Sequence, residues 1–205
     1  DDNDYIVINK PRGIAVQSGT NNLKNIIDTI KKTKYFKYSK PYIVHRLDKE
    51  TSGIFLIAKN REFAQFFTSL FRIRKIHKTY LAVVKGEVPK SLKKMEDFLE
   101  YFEMNKKTRL KATTFLKVLK SNNKYSLLEL NPLTGRKHQL RKQLYMRGFP
   151  IIGDTKYYLG KNKKIKSQLM LLHSYKIKFM KNNKKFNYLA ELDREFKKKI
   201  DLYFR

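Results

Sequence analysis

His45-Arg-Leu-Asp-Lys-Glu-Thr-Ser-Gly53 is a polar, charged segment that runs directly into the apolar stretch Gly53-Ile-Phe-Leu-Ile-Ala58. A short apolar run of this kind is typical of a buried strand. The segment therefore predicts a loop that presents ionisable side chains where a buried strand begins. An aspartate beside a Thr-Ser-Gly turn is more often a cap or a solvated loop residue, so Asp48 needs further context before it is assigned a role.

The rest of the chain predicts further helices and strands from the spacing of its apolar residues. Helices are expected over residues 23–30, 61–71, 136–146 and 194–203. Strands are expected over residues 5–9, 53–58, 79–85, 112–120, 125–131, 169–179 and 186–192. Asn21 or Asn22 is expected to cap the first helix. Because helices and strands do not alternate regularly, we expect an α+β fold with a central mixed or antiparallel sheet flanked by helices and loops.

The net charge of +29, from 47 basic and 18 acidic residues, favours a polyanionic partner. A bias in codon usage would enrich Glu as readily as Lys, so it does not explain this excess. Nucleic acid is the expected partner, and its binding should weaken steeply with salt. No apolar run approaches the ~20 residues needed to span a bilayer, so no membrane partner is expected.

The chain has no cysteine, which excludes disulfides and thiolate zinc sites. The four histidines are scattered without metal-ligand spacing, so we expect no bound metal. The first residue is Asp1 rather than Met, and we expect the native chain to begin upstream.

Four further motifs accompany the segment at residues 45–53. They are Lys10-Pro-Arg-Gly13, Lys78-Thr-Tyr80 with Val84-Lys-Gly86, Thr134-Gly-Arg-Lys-His-Gln-Leu-Arg141 with Pro150-Ile-Ile-Gly-Asp154, and Leu172-His173. In this order, and over nearly the whole chain, the motifs resemble those of the RluA family of pseudouridine synthases. One departure is Met180-Lys181, where the family often has a His-Pro pair. The resemblance implies a single catalytic domain over residues 1–205 that isomerises uridine in RNA.

The resemblance also implies which residues carry the chemistry. Asp48 corresponds to the catalytic carboxylate, Tyr80 to the catalytic tyrosine and Arg141 to the active-site arginine. Breaking the bond from C1′ to N1 of uridine leaves an electron-poor sugar carbon, which a carboxylate stabilises or attacks. Removal of a sugar proton by the carboxylate is the other open pathway. Arg141 is expected to pair with Asp48 and keep it ionised, while Tyr80 stacks on the uracil. No cofactor is required.

Other residues are expected to contact RNA or to shape the loop. Arg46 is the expected wedge that fills the stack vacated by a flipped base. His45 is expected to hold the Asp48 loop by a hydrogen bond, and His138 either belongs to helix structure or lines the pocket. The remaining expected RNA contacts are Lys10, Arg12, Lys78 and Arg136.

The stretch Gly13-Ile-Ala-Val-Gln-Ser-Gly19 resembles the branch of the family that modifies large-subunit ribosomal RNA, especially the RluC-like enzymes. We therefore expect 23S rRNA as substrate, a cytoplasmic monomer, and a small RNA-binding domain upstream. Transfer RNA as substrate and an organelle as location stay open. The alternative from another class is a non-catalytic RNA-binding factor for ribosome assembly, which would not need Asp48, Tyr80 and Arg141 together. A metal-dependent nuclease is a more distant alternative, because it requires clustered carboxylates.

Overall fold

The structure, a computed structural model, describes residues 1–17, 25–103, 106–158 and 169–205. In chain order, the strands are β1 (Tyr5–Lys10), β2 (Tyr42–Ile43), β3 (Ser52–Ala58), β4 (His77–Lys85), β5 (Lys94–Glu103), β6 (Lys106–Ser121), β7 (Tyr125–Pro132), β8 (Leu172–Lys181) and β9 (Lys184–Leu189). The helices are α1 (Ile26–Lys31), a 3-10 helix at Lys34–Phe36, α2 (Arg61–Arg72), α3 (Gln139–Met146) and α4 (Arg194–Tyr203). The expected α+β fold with helices flanking a sheet is confirmed.

The chain divides into two units, and each has its own core. The first unit comprises Asp1–Lys78 and Ser174–Glu191, and the second comprises Thr79–His173 and Leu192–Arg205. No helix among the described residues is long and apolar enough to cross a membrane.

The first unit is organised around β3, in which every residue is buried. β1 and β2 both pair with β3 in antiparallel register, and β9 pairs antiparallel with β8. Asn182 and Asn183 both adopt positive φ angles, of 49° and 58°, which the two-residue turn between β8 and β9 requires. The Phe67 ring of α2 packs edge-on against Tyr5 and Phe179, with ring centroids 5.1 and 5.2 Å apart. This cluster closes the core of the first unit.

The second unit contains four antiparallel strands in the order β4-β7-β6-β5. Its main core gathers residues of β4, β6 and β7 with Leu140 and Leu144 of α3. Phe196 of α4 is fully buried beside Val83 and Leu171 in a smaller cluster. The two clusters fix α3 and α4 through buried apolar contacts.

Several of the described elements differ from the sequence expectation. Leu23, Asn21 and Asn22 lie outside the described residues, but α1 begins at Ile26 and is capped by Asn25, whose side chain accepts a hydrogen bond from the Asp28 amide. The third expected helix begins at Gln139 rather than Arg136, because His138 adopts a left-handed φ of 54° that interrupts the helix. Strand β5 was not predicted at all. Its inner face carries Met95 and Leu99, whereas acidic and aromatic residues share its outer face and obscure the two-residue period.

Candidate active site

The loop that carries Asp48 is held in place by its neighbours in the sequence and by one buried apolar side chain. Leu47 is buried, whereas Asp48 is half-buried and Arg46 is exposed. The Thr51 amide donates a 3.1 Å hydrogen bond to the Asp48 carbonyl, which closes a turn before β3 begins. The loop thus anchors its apolar residue and presents the side chains on either side of it.

Lys10 ties this loop to the Lys10–Gly13 turn. Its side chain is fully buried, and its ammonium donates to the carbonyls of Pro11 (2.9 Å), Ile14 (2.9 Å) and Lys49 (3.3 Å). The Gly13 amide also donates to the Lys49 carbonyl at 2.9 Å. Burial lowers the pKa of Lys10 to about 8, although the nearby carboxylates of Glu50 and Asp48 act in the opposite direction.

The position of Lys10 corrects one expectation from the sequence. An ammonium buried on three backbone carbonyls does not reach an RNA backbone, so Lys10 is a positioning residue rather than an RNA contact. The Lys-Pro-Arg-Gly motif gave no sign of this, because a lysine before a turn is usually solvated.

His45 packs between aromatic rings and binds the strand that follows the loop. Its ring stacks on Phe71 at 4.9 Å and lies 4.9 Å from Phe55, and its Nε2 accepts a 2.9 Å hydrogen bond from the Leu56 amide. Because Nε2 accepts, this imidazole is neutral with its proton on Nδ1. Burial, assisted by the charge of Lys78, lowers the pKa of His45 to about 3. These contacts fix the His45 ring against β3.

Lys78 lies beside the same aromatic group. Its ammonium is 5.9 Å from the Phe71 ring centroid, and burial lowers its pKa to about 8. Lys78 and Arg12 are both half-buried within the first unit, whereas Arg46 is exposed.

Gly53 is required where the loop joins β3. Its φ is 105°, and a Cβ atom added there would lie 2.2 Å from the Ser174 carbonyl oxygen of β8. No side chain is accommodated at that distance, so this position fixes how closely β8 approaches the end of the Asp48 loop.

The candidate residues of the second unit centre on Arg141. Its guanidinium is almost fully buried and forms a bidentate ion pair with Asp154, with Nε–Oδ2 and Nη2–Oδ1 distances of 2.7 Å. The Oδ1 atom of Asp154 also accepts hydrogen bonds from the backbone amides of Lys156 (2.9 Å) and Tyr157 (3.0 Å). Two planar groups in this arrangement hold each other in a single orientation. Asp154 ends the motif Pro150-Ile-Ile-Gly-Asp154, but its pairing with Arg141 was not predicted.

Asp154 is positioned by a tight turn. Gly153 has a φ of 78°, and a Cβ atom there would lie 2.0 Å from the Leu169 carbonyl oxygen. A nearly buried arginine needs a carboxylate partner, and Asp154 supplies it.

The start of α3 is fixed by a buried network of glutamine and threonine side chains. Gln139 accepts hydrogen bonds from the Thr134 hydroxyl (2.7 Å) and the Arg136 amide (3.0 Å), and it donates to Thr114 (3.0 Å). One turn later, Gln143 accepts from the Thr114 hydroxyl at 2.7 Å. The network attaches α3 to β6, so Arg141 projects from a rigid helix.

His138 and Tyr157 lie beside this ion pair. The Tyr157 hydroxyl is 3.0 Å from Nδ1 of His138, and its ring centroid is 5.2 Å from the Arg141 guanidinium carbon. His138 thus precedes α3 and contacts Tyr157, a residue that the sequence did not single out.

Tyr80 and Arg136 complete the candidate residues of the second unit. Tyr80 of β4 is half-buried, faces Leu130 of β7 in the register, and packs against the main core. The Nε of Arg136 donates to the Lys111 carbonyl at 3.2 Å, so part of its hydrogen-bonding capacity is used inside the protein. In the parts of the chain that the structure describes, no group of three or more His, Cys, Asp or Glu side chains is arranged to hold a metal ion.

Comparisons with known proteins match this chain to one family. A family model described as RNA pseudouridylate synthase matches residues 4–145. Ribosomal large subunit pseudouridine synthase D of Borreliella burgdorferi is 35% identical, over 96% of this chain and 65% of its own length. Ribosomal large subunit pseudouridine synthase C of Rickettsia conorii is 39% identical, over 86% of this chain and 60% of its own length.

A solved structure gives the same result. Human RNA Pseudouridylate Synthase Domain Containing 4 superposes with a TM-score of 0.81 and 26% identity, covering 98% of this chain and 90% of that chain. The chain spans less than two thirds of the length of the two curated relatives described above.

Proposed function

The chain belongs to the RNA pseudouridylate synthase family, and from this premise we propose that it isomerises specific uridines of RNA to pseudouridine with Asp48 as its catalytic carboxylate. The observation that carries the proposal is that the matched region, residues 4–145, contains Asp48, Tyr80 and Arg141 together. A protein that only bound RNA would have no chemical need for all three.

The reaction needs no oxidant or reductant. The bond from C1′ to N1 breaks and a bond from C1′ to C5 forms, while C5 loses a proton and N1 gains one. The Asp48 carboxylate either bonds to the electron-poor C1′ or removes a proton from the sugar, and both pathways require its ionised form. Because the uracil stays bound and reattaches, one carboxylate suffices.

Arg141 and Tyr80 assist this carboxylate. Arg141 pairs with Asp48, as the family resemblance implies. Such pairing keeps Asp48 ionised. The Tyr80 ring stacks on the detached uracil, and its hydroxyl acts near the C5 proton that leaves.

Arg46 enters the stack vacated by the flipped uridine, where a guanidinium stacks and donates hydrogen bonds at once. Its exposure supports this role. Arg12, Lys78, Arg136 and His138 line or flank the bound RNA, and His45 holds the catalytic loop through the Leu56 amide.

The substrate is large-subunit ribosomal RNA, and the names of both curated relatives support this assignment. The net charge of +29 suits a long polyanion. Residues 1–205 form the catalytic domain of a cytoplasmic monomer that uses no metal or cofactor.

Pseudouridine mapping on total RNA tests the proposal. Cells that lack the gene should lose pseudouridine at specific 23S rRNA positions, and the intact gene should restore it whereas an Asp48→Asn copy should not. Loss only at tRNA positions would mean that the substrate is tRNA rather than rRNA. An unchanged map would favour the alternative of a protein that only binds RNA.

A further inference from the structure

The second unit contains a pocket of about 170 Å³ that gathers three lysines against aromatic rings. The lysines are Lys137, Lys142 and Lys156, and the rings include those of Tyr101 and Phe102. None of the three lysines has a part in the chemistry proposed for the uridine. A pocket of this size holds about five waters, which is comparable with a phosphate and part of a ribose.

Lys142 is the fixed member of the three. Its ammonium lies 4.0 Å from the Tyr101 ring centroid and donates a 2.8 Å hydrogen bond to the Glu100 carbonyl. Burial and the positive charges of Lys156 and Lys137 lower the pKa of Lys142, while Glu100 acts in the opposite direction. Like charges brought together in this way repel one another, so an anion that enters the pocket relieves the repulsion.

The walls of the pocket are held before any ligand binds. The Tyr101 hydroxyl donates to the Lys137 carbonyl at 3.2 Å, and the Tyr157 hydroxyl is hydrogen-bonded to His138. His138 adopts its left-handed φ of 54° at this wall, a conformation that costs free energy and is often found at binding sites. Walls fixed in this way lower the entropy cost of binding.

Phe102 adds a stacking surface at the end of β5. Its side chain is 75% exposed, more than Phe98 on the same face of the strand, which is 58% exposed. An aromatic ring beside a basic pocket suits a nucleotide, because the base stacks while the phosphate binds the cations. An acidic peptide would satisfy the lysines without using the ring.

We propose that this pocket is a nucleotide subsite, in which Lys137, Lys142 and Lys156 hold one backbone phosphate of the bound RNA and Phe102 stacks on the adjoining base. The inference rests on the proposed function in one respect only, that the chain binds RNA. It assigns to these residues a second contact with the strand, beside the site proposed for the uridine that reacts.

A binding experiment on the Asp48→Asn protein tests the phosphate contact without turnover. The probe is a short fluorescein-labelled stem–loop RNA with a loop of uridines, and the readout is fluorescence anisotropy over a range of salt concentrations. The pocket variant replaces Lys137, Lys142 and Lys156 with Gln, and the charge-matched control replaces the exposed lysines Lys117, Lys120 and Lys124 of the same unit. The pocket variant should bind about tenfold more weakly, and its slope of log K against log salt should be shallower by about 0.7–0.9, the share of one phosphate.

A scan of single methylphosphonate linkages separates a specific contact from general charge. One neutral linkage should weaken binding to the Asp48→Asn parent and to the control triple variant, but have no further effect on the pocket variant. Phe102→Ala should weaken binding about tenfold, whereas Phe98→Ala should change it less than twofold.

Equal losses in the pocket and control variants, with no linkage that distinguishes them, would overturn the proposal. So would equal effects of Phe102→Ala and Phe98→Ala. These outcomes are independent of isomerisation. If the enzyme is active but its pocket variant binds RNA as the control variant does, the subsite proposal fails and the proposed function stands. If the protein is inactive but shows the predicted binding pattern, the subsite proposal stands and the proposed function fails.

Discussion

At the scale of single residues, Arg141 and Asp154 form a buried ion pair that holds the arginine in one orientation. The guanidinium is 7% exposed and the carboxylate is fully buried, so each charge depends on the other for compensation. Two amides add hydrogen bonds to the same carboxylate. A charge left alone at this position would carry most of its desolvation cost.

Asp154→Asn should therefore lower the free energy of unfolding by about 3 kcal/mol, because it removes the bidentate carboxylate that compensates the buried Arg141 charge. Urea denaturation measures the change. The control is Asp4→Asn, which removes a carboxylate from a more exposed pair with Lys181 and should cost less than about 1 kcal/mol. Similar costs for the two variants would mean that the buried pair has no special weight.

His45 makes a prediction about pH. The folded protein lowers its pKa from the usual 6.5 to about 3, so below pH 6.5 the unfolded chain binds a proton that the folded chain does not. The contribution of neutral His45 to the free energy of unfolding is complete above pH 6.5 and is lost as the pH falls towards 3. The free energy of unfolding should fall by up to about 1.4 kcal/mol per pH unit more steeply than in His45→Gln.

Denaturation curves between pH 6 and 4 provide the measurement, and the exposed His77 supplies the matched control as His77→Gln. That variant should keep the wild-type slope. If His45→Gln also kept it, the imidazole would titrate alike in the folded and unfolded states.

At the scale of elements, the Asp48 loop depends on the lysine buried beneath it. Lys10→Met removes an ammonium that satisfies three carbonyls, and it should cost about 2–3 kcal/mol of stability. Hydrogen exchange at the Gly13 and Thr51 amides, which bond to the loop carbonyls, should become faster. Lys49→Met is the control, since the Lys49 side chain is exposed and only its carbonyl is used. Unchanged exchange in Lys10→Met would show that the loop is held by other contacts.

Two glycines with positive φ, Gly53 at the junction between the loop and β3 and Gly148 away from it, test how rigid this junction is. Gly148→Ala meets no atom within 4 Å and should cost only the left-handed strain of about 1–2 kcal/mol. Gly53→Ala places a Cβ atom 2.2 Å from the Ser174 carbonyl and should cost several kcal/mol more in urea denaturation. Equal costs would mean that β8 moves away from the junction easily.

Elements whose signals are local were predictable from the sequence. The apolar run of β3 and the apolar periodicity of α2 lie close to their expected positions, and the turn at Asn182 and Asn183 has the residues that it needs. Strand β5 and the first residues of β6 were not predictable in this way. The basic residues of β6 contact acidic residues of β5 only once the two strands are paired. Lys107 binds Glu100 at 2.9 Å and Lys111 binds Glu96 at 2.8 Å.

The residues of the candidate site also divide into those that the sequence predicted and those that only the structure shows. Asp48, Tyr80 and Arg141 were identified through ordered motifs, and the family match covers all three. The partners Asp154 and Tyr157, and the inward direction of Lys10, depend on contacts between residues distant in sequence or on burial. A single sequence does not record such contacts, so these roles required the structure.

At the scale of the whole molecule, the excess of positive charge and the family membership point to one activity. The charge favours binding to a polyanion such as RNA, whereas the proposed reaction depends on the Asp48 carboxylate. These two contributions are separable, because a neutral side chain at position 48 leaves the other charges in place.

The most direct measurement compares wild type and Asp48→Asn for release of tritium from C5-labelled uridine in 23S rRNA, at RNA concentrations where both proteins are saturated. The wild type should release tritium at specific uridines, and Asp48→Asn should release none above background while binding the RNA with an affinity within about threefold of wild type. Tritium release by Asp48→Asn at a substantial fraction of the wild-type rate would contradict the assignment of Asp48 as the catalytic carboxylate.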